Sequence, residues 1–192
     1  MNRTKNLLAV LFVAAAFALL FLSVRRSKVA DQSSPGLIAV GAAKTAIDFT
    51  LPDAATGRPM HLQAAAKSGP LVLDFWATWC QPCLAEMPHL QKLYDQYKSK
   101  DFVVVAVSMD GPESIADVPS FAKRNQMSFP VLLDEDSRIA SIYNPRKSAP
   151  LSVIIDKSGR VVVTREGYNA GDEEHVAEDV KKVIDSSDAT TK

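Results

Sequence analysis

The chain has 192 residues, of which 47% are hydrophobic, and its 22 basic residues are balanced by 22 acidic ones. A chain of this length fits one globular domain with an appendage. The balanced charge gives no reason to expect a nucleic-acid partner, and two cysteines are too few for a disulfide-rich scaffold.

An uncharged apolar run lies near the N-terminus. A short basic stretch, residues 1–6, precedes residues 7–24, which carry no charge, and Arg25 and Arg26 follow. The run is close to the shortest length that spans a bilayer and longer than the apolar part of a typical signal peptide. We therefore predict one transmembrane signal anchor over residues 7–24, with a cleaved signal peptide as the alternative.

The rest of the chain divides into a linker, a domain and a tail. Residues 25–45 are rich in small and polar residues and predict a linker that holds the domain off the membrane. Residues 46–186 form the predicted domain, and residues 187–192 are expected to be a frayed tail.

Basic residues flank both ends of the apolar run, so the charge distribution does not decide its orientation. An N-terminal signal followed by one soluble domain is the usual export arrangement. We therefore expect a single-pass protein of the inner or cytoplasmic membrane, with its domain on the periplasmic or extracytoplasmic side.

Strands and helices alternate through the domain. The spacing of apolar residues and the turn signals predict strands at 47–51, 60–62, 71–76, 102–107, 129–133, 151–155 and 160–164. They predict helical segments at 63–67, 113–125, 136–143 and 172–184, and one more from the cysteines to about residue 98. Asp74 is the one charge in the apolar strand at 71–76, which is of the kind covered on both faces of a sheet. The order predicts an α/β domain with a central mixed sheet and helices on both faces.

Both cysteines follow the strand at 71–76, in the segment WCQPC at residues 79–83. Two cysteines so spaced beside a βα pattern predict a redox pair that closes and opens a small ring. If Cys80 begins a helix, unpaired backbone N–H groups point at its sulfur and lower the pKa of the thiol below the free value of about 8.5. Pro82 suits the first turn of such a helix. Cys83, one turn further along, is expected to be more buried and less reactive.

Two other interpretations of the cysteine pair are weaker. A zinc site needs two more ligands, and His61, His89 and His175 are not at ligand-like spacing. All three histidines are expected at the surface. A static structural disulfide would close so short a loop that it constrains the unfolded chain little.

Several stretches of the domain resemble one family. Residues 74–83, DFWATWCQPC, resemble thioredoxin itself, and residues 44–186 resemble the membrane-anchored extracytoplasmic thioredoxins of the TlpA/ResA type, which are grouped with the AhpC/TSA superfamily. The matching stretches are DFTLPD at 48–53, WCQPC with Glu86 and Pro88 after it, FPVLLD at 129–134 and VIIDKSG at 153–159. The resemblance implies a thioredoxin-like fold and a thiol–disulfide oxidoreductase, usually a reductase of protein disulfides. Tasks known in this group include cytochrome c maturation and the reduction of copper-delivery proteins.

The resemblance also implies roles for individual residues. Cys80 matches the attacking cysteine, Cys83 the resolving one, and Pro150 the cis-proline beside the site. Asp74 matches the buried acid of cytoplasmic thioredoxin, and Glu86 matches the acid that TlpA/ResA-type proteins carry three residues after the second cysteine. A buried carboxylate has a raised pKa because burial penalises its charge, so either acid could take the proton of Cys83. An exposed helix position is the alternative for Glu86.

Substrate contacts are expected from residues around the cysteine pair. The resemblance implies that Trp79, Gln81 and Pro82 contact the substrate, and that the backbone of Ala149 before the cis-proline pairs with a substrate strand. The residues after that proline, Leu151-Ser152, depart from the two threonines often found in the family, which leaves the substrate preference open.

The predicted cycle needs neither a cofactor nor a metal. The Cys80 thiolate attacks the disulfide of a substrate protein, Cys83 releases the reduced product, and a membrane electron donor reduces the resulting disulfide. A disulfide-forming oxidase would run the cycle backward, and a copper-binding assembly factor would use the cysteines with a histidine. A peroxidase is disfavoured because Ala77, three residues before Cys80, carries no hydroxyl; Thr78 lies only two residues before it.

Overall fold

The structure is a computed structural model that describes residues 44–190, with side chains to residue 188. The predicted basic N-terminus, the predicted anchor at 7–24 and almost all of the predicted linker lie outside these residues. Among residues 44–190, no helix is both long enough and apolar enough to cross a bilayer.

Seven strands and five α-helices make up the described part of the chain. In chain order they are β1 (Thr50–Pro52), β2 (Pro59–His61), α1 (Leu62–Ser68), β3 (Leu71–Trp76), α2 (Gln81–Tyr97), β4 (Val103–Ser108), α3 (Val118–Arg124), β5 (Val131–Leu133), α4 (Arg138–Tyr143), β6 (Leu151–Ile155), β7 (Val161–Glu166) and α5 (Asp172–Thr190). The strands β1 and β2 form a separate antiparallel pair. The other five form one sheet in the order β5-β4-β3-β6-β7.

The five-stranded sheet is mixed. Its central strand β3 pairs in parallel with β4 and antiparallel with β6. The outer strands follow the same division, since β5 is parallel to β4 and β7 is antiparallel to β6. Helical crossovers join the parallel strands, whereas β6 and β7 form a hairpin. The predicted central mixed sheet is confirmed.

Side chains of β3 alternate between two apolar cores. Val72 and Trp76 belong to a core that also contains residues of α2, α3 and α5. Leu73 and Phe75 belong to a second core, on the opposite face, with residues of α1 and α4. Helices therefore cover both faces of the sheet, as predicted, and all six residues of β3 are buried.

The same alternation determines where the one charged residue of β3 lies. Asp74 is two residues from both Val72 and Trp76, so its side chain projects toward the face that α2 covers. Ser152 of β6 is its partner in the ladder and lies on the same face. The sheet register therefore places an acid and a hydroxyl side by side under α2.

Two predicted elements begin at least three residues later in the structure than the sequence indicated. The first strand, predicted at 47–51, begins at Thr50. Before the strand, the N–H of Ala46 donates to the carbonyl of Gly159. The helix predicted at 113–125 begins at Val118, after a single 3-10 turn. Pro119 explains this start, because proline fits the first turn of an α-helix but not its interior.

The C-terminal helix is longer than predicted. The sequence indicated an end at Ile184 and a frayed tail over 187–192, whereas α5 continues to Thr190. The hydroxyls of Ser186 and Ser187 donate to the carbonyl of Val183, 2.9 and 2.8 Å away, within the helix. Serine hydroxyls commonly compete with the backbone hydrogen bonds of a helix. Here both hydroxyls bond to a carbonyl of the preceding helical turn, and the helix continues.

Candidate active site

The two cysteines lie where β3 ends and α2 begins. Cys80 is the N-cap residue of α2, Pro82 is in its first turn, and Cys83 follows. The two sulfurs are bonded, with 5.3 Å between the Cα atoms. The backbone N–H of Cys83 donates to Sγ of Cys80, with 3.2 Å between nitrogen and sulfur. The sulfur of Cys80 therefore occupies the place where an N-cap side chain accepts a hydrogen bond, as the sequence predicted.

Exposure differs sharply along the segment that carries the cysteines. Cys83 is fully buried and Cys80 is 4% exposed, whereas the indole of Trp79 is 61% exposed. Gln81 and Pro82 are also exposed. Three of the five predicted contact residues, Trp79, Gln81 and Pro82, are therefore exposed next to Cys80 in the chain.

The structure contains the predicted cis-proline. The peptide bond between Ala149 and Pro150 is cis, and Pro150 leads directly into β6. Ala149 packs against the core that contains Cys80 and Cys83. The carbonyl of Pro150 accepts a hydrogen bond from the N–H of Gly167, 2.8 Å away.

A buried carboxylate holds the loop that precedes Cys80. Asp110 is fully buried and follows β4. It accepts hydrogen bonds from the backbone N–H of Thr78 at 3.0 Å, from the Thr78 hydroxyl, and from the hydroxyls of Ser108 and Ser114 at 2.7 and 3.0 Å. The loop between β3 and α2 is thereby tied to the end of β4. The sequence indicated only a turn here, although an acid directly after a buried strand was a usable signal.

The two predicted acids both lie beneath α2. Asp74 is fully buried and Glu86 is 3% exposed, so the alternative of an exposed helix position for Glu86 is wrong. The hydroxyl oxygen of Ser152 is 3.0 Å from Oδ1 of Asp74 and 3.2 Å from Oε1 of Glu86. Ser152 was noted in the sequence only as a departure from a family pattern. Its contact with both acids depends on the strand register, which the sequence does not reveal.

Burial dominates the acid–base behaviour of this pair. Desolvation raises the pKa of Asp74 to about 7, against the opposing effect of the hydrogen bond from Ser152. Desolvation, followed by the charge of Asp74, raises the pKa of Glu86 to about 9. The site therefore contains carboxyl groups that can exchange a proton near neutral pH, where ordinary carboxyl groups are fully ionised.

The histidines do not join the cysteines. His89 is half-buried rather than at the surface, because its ring packs against that of Tyr168, with 6.1 Å between centroids. His61 and His175 are exposed. Across residues 44–190, no three side chains among histidine, cysteine, aspartate and glutamate are grouped closely enough to hold a metal ion.

Solved structures share this fold. A Chlorobium tepidum protein described as thiol:disulfide interchange protein DsbE is 28% identical, with a TM-score of 0.68 over 79% of this chain and 99% of that one. The thioredoxin domain of a thiol-disulfide oxidoreductase from Bacteroides vulgatus, 24% identical, matches with a TM-score of 0.63 over 76% of this chain and 99% of that one. With the redox cysteine pair at the start of α2, the fold defines a thioredoxin-like thiol–disulfide oxidoreductase.

Sequence comparisons narrow this class. The model of the AhpC/TSA family matches residues 42–164. Thiol-disulfide oxidoreductase ResA of Halalkalibacterium halodurans is 32% identical over 143 residues, which are 74% of this chain and 77% of that protein. ResA of Bacillus cereus is 36% identical over 119 residues, 62% of this chain and 66% of that protein. The chain belongs to the AhpC/TSA family and is a thioredoxin-like protein of the TlpA/ResA type.

We expect Asp110→Asn to destabilise the oxidised protein by about 1–3 kcal/mol, because an amide cannot accept all four hydrogen bonds and leaves a buried donor unpaired. Urea unfolding measures the effect. Glu178→Gln is the control, since Glu178 forms only an exposed ion pair with Lys182 and its loss should cost less than about 0.5 kcal/mol. Equal effects of the two substitutions would contradict the role of Asp110.

We expect the oxidised protein to lose stability as the pH rises from about 4 toward 9. The ordinary pKa values of 3.8 and 4.5 apply to Asp74 and Glu86 in the unfolded chain, and the folded values are higher. At pH values between the unfolded and the folded pKa values, the folded state binds more protons than the unfolded chain. The free energy of unfolding therefore falls as the pH rises. The cysteines do not titrate while they are bonded.

Urea unfolding of the oxidised protein across this pH range measures the slope. Asp74→Asn and Glu86→Gln should each flatten it, because each removes one group that the folded state keeps protonated. Glu174→Gln, a change of an exposed helix residue, should leave it as in the wild type. A slope in Glu86→Gln as steep as that of the wild type would show that Glu86 ionises normally.

Proposed function

We propose that this protein is a single-pass membrane protein whose extracytoplasmic domain reduces disulfides in substrate proteins. The observation that carries the proposal is the position of the Cys80 sulfur at the N-terminus of α2, where it accepts the N–H of Cys83. A thiolate at that position is stabilised by the unpaired backbone N–H groups of the first turn. The sulfur bonded to it is fully buried and three residues away.

The cycle assigns a different step to each sulfur. The thiolate of Cys80 attacks the substrate disulfide, forms a bond to one substrate sulfur and releases the other as a thiolate. The sulfur of Cys83 then attacks Cys80, the Cys80–substrate bond breaks, and the second substrate thiolate leaves. Two electrons pass from the cysteine pair to the substrate, and the proton of Cys83 goes to a nearby base. A membrane electron donor then reduces the Cys80–Cys83 disulfide.

The buried acids are the bases for the second step. Glu86 lies three residues after Cys83 on α2, so the two side chains share a face of the helix. Asp74 lies on the sheet face that α2 covers. Because burial raises the pKa of both carboxyl groups, either can accept a proton close to neutral pH and release it again.

The substrate is proposed to bind around the exposed end of the site. Trp79, Gln81 and Pro82 provide exposed surface on one side of Cys80. The Ala149–Pro150 segment, directly before β6, is proposed as the second contact, and its backbone would pair with an extended substrate strand. The likeness to the TlpA/ResA type favours an apocytochrome c or a copper-delivery protein as the substrate.

The proposed location depends on residues 7–24. Their uncharged run supports a membrane anchor, and residues 25–45 would hold the domain off the membrane surface. The proposed side is periplasmic or extracytoplasmic, in accordance with the export arrangement.

We expect Cys83→Ser to accumulate mixed disulfides with partner proteins, because the serine cannot displace the captured sulfur from Cys80. Non-reducing electrophoresis of cell extracts, followed by reduction, should show adducts that disappear with the reductant. Cys80→Ser is the matched control and should trap none. Adducts in Cys80→Ser at the level seen in Cys83→Ser would contradict the assigned roles, and adducts in Cys80→Ser alone would reverse them. The absence of adducts from both variants would reject the proposed reaction.

We expect a periplasmic reporter enzyme fused after Lys192 to be active, and a reporter that folds only in the cytoplasm to be inactive. Deletion of residues 7–24 should abolish both export and membrane association. Activity of the cytoplasmic reporter alone would reject the proposed orientation. A shortened chain, lacking residues 7–24 and found only in the soluble fraction of the cell envelope, would indicate a cleaved signal peptide.

A further inference from the structure

One hydroxyl group contacts two buried carboxyl groups in this site. The oxygen of Ser152 is 3.0 Å from Oδ1 of Asp74 and 3.2 Å from Oε1 of Glu86. A serine hydroxyl has a single hydrogen to donate, although it can also accept. It therefore makes a full hydrogen bond to each carboxyl group only if at least one of the two carries a proton and donates it to the hydroxyl oxygen.

The other oxygen of each acid also indicates that the pair is partly protonated. Oδ2 of Asp74 and Oε2 of Glu86 are buried and have no hydrogen-bond partner among the described residues. Two ionised carboxylates would share one donor between four oxygens in a dry environment, which is costly. Two neutral carboxyl groups would leave one acidic hydrogen without an acceptor in this arrangement. With one proton on the pair, the hydroxyl of Ser152 accepts a hydrogen bond from the protonated carboxyl group and donates one to the ionised carboxylate.

The two acids differ in their access to solvent. Glu86 lines a small cavity of about 20 Å³ together with residues of β7, the loop after it and α5. That volume can hold about one water molecule. One oxygen of Glu86, Oε2, has no hydrogen-bond partner among the described residues. Asp74, on the central strand, does not line this cavity. Glu86 is therefore the outer member of the pair and Asp74 the inner one.

The other charged or titratable groups around Glu86 lie on the walls of the cavity. Asp172, at the start of α5, raises the pKa of Glu86 along with the larger effects of burial and of Asp74. The guanidinium of Arg165 is paired with Asp179, and the hydroxyl of Tyr168 donates to Glu173 at 2.8 Å. The remaining wall residue with a charge is Glu166, which pairs with Arg146.

We infer that Ser152 joins Asp74 and Glu86 into one unit that holds a single proton, and that Glu86 exchanges this proton with solvent through the cavity. In the reaction cycle, which rests on the proposed function, the proton of the Cys83 thiol passes to the inner carboxylate of Asp74. The unit then holds two protons and releases one through Glu86. Each turnover thus leaves two substrate thiolates, one closed Cys80–Cys83 disulfide and one proton in solvent.

Ser152 is a positioning residue in this inference, and its effect is measured without any redox step. In the oxidised full-length protein, the carboxyl carbon shifts of Asp74 and Glu86 are followed by ¹³C NMR as a function of pH. The wild type should show two well-separated ionisations, because the hydroxyl stabilises the singly ionised pair. In Ser152→Ala the lower ionisation should move up by about one pH unit, since a hydrogen bond to a charged group is lost. Ser152→Thr retains the hydroxyl and should restore the wild-type separation.

Unchanged ionisations in Ser152→Ala would overturn the inference, and so would an identical change in Ser152→Thr. If Ser152→Ala does not fold, the wild type itself provides the test: the Cβ shift of Ser152 should follow both ionisations, and a shift that follows neither overturns the inference. In Asp74→Asn the single remaining ionisation, that of Glu86, should occur at lower pH than in the wild type.

A second measurement separates this inference from the proposed function. The reduced wild type and both serine variants react with a small aromatic disulfide, DTNB, across the same pH range. We expect Ser152→Ala to move the pH at which the second step is half-maximal, and Ser152→Thr to leave it in place. In one outcome, the wild type releases no second thiolate at any pH, while Ser152→Ala still shifts the lower ionisation in the NMR titration. That result would reject the proposed function and support the inference that Ser152 joins the two acids. If the wild type reacts fully and the ionisations are insensitive to Ser152, that inference fails alone.

Discussion

The strand β3 constrains every other part of the site. It is the central strand of the sheet, and both of its faces are covered, so no side chain along it reaches water. One of its six residues is nevertheless an acid. The alternation of side chains sends Asp74 to the face under α2 and leaves the opposite face purely apolar. The same strand ends four residues before Cys80, which is the N-cap residue of α2. The strand and the helix together therefore fix the position of the Asp74 carboxyl group relative to the Cys80 sulfur.

The local part of this arrangement could be predicted from the sequence. The cysteine spacing, Pro82 in the first turn and the apolar run before them together indicate a strand, a turn and a helix start, and these depend only on neighbouring residues. The charge of Asp74 within the apolar run was equally visible. Membership of the TlpA/ResA type, inferred from several short stretches, is confirmed by the relatives. The anchor at 7–24 and the assigned roles of the site residues stay predictions.

The contacts between distant segments could not be predicted in the same way. Ser152 lies 78 residues from Asp74 and 66 from Glu86, and it meets them only because β6 pairs with β3 in one particular register. A shift of one residue would send its hydroxyl to the opposite face. Asp110 and Thr78 are likewise 32 residues apart. The burial of Glu86 depends on the segment between β7 and α5, whose position follows from tertiary packing rather than from the local pattern of α2.

The pair of acids opposes folding at the pH where the site would work. Groups whose pKa values are raised by burial are stable in the folded state as protonated acids, and their ionisation above neutral pH weakens the fold. Apolar side chains, such as Leu73 and Phe75 on the opposite face of β3, carry no such cost. The two carboxyl groups are therefore hard to explain as structural elements. The proposed role as proton acceptors would account for them, because the desolvation that makes them destabilising also raises their pKa values toward that of a thiol.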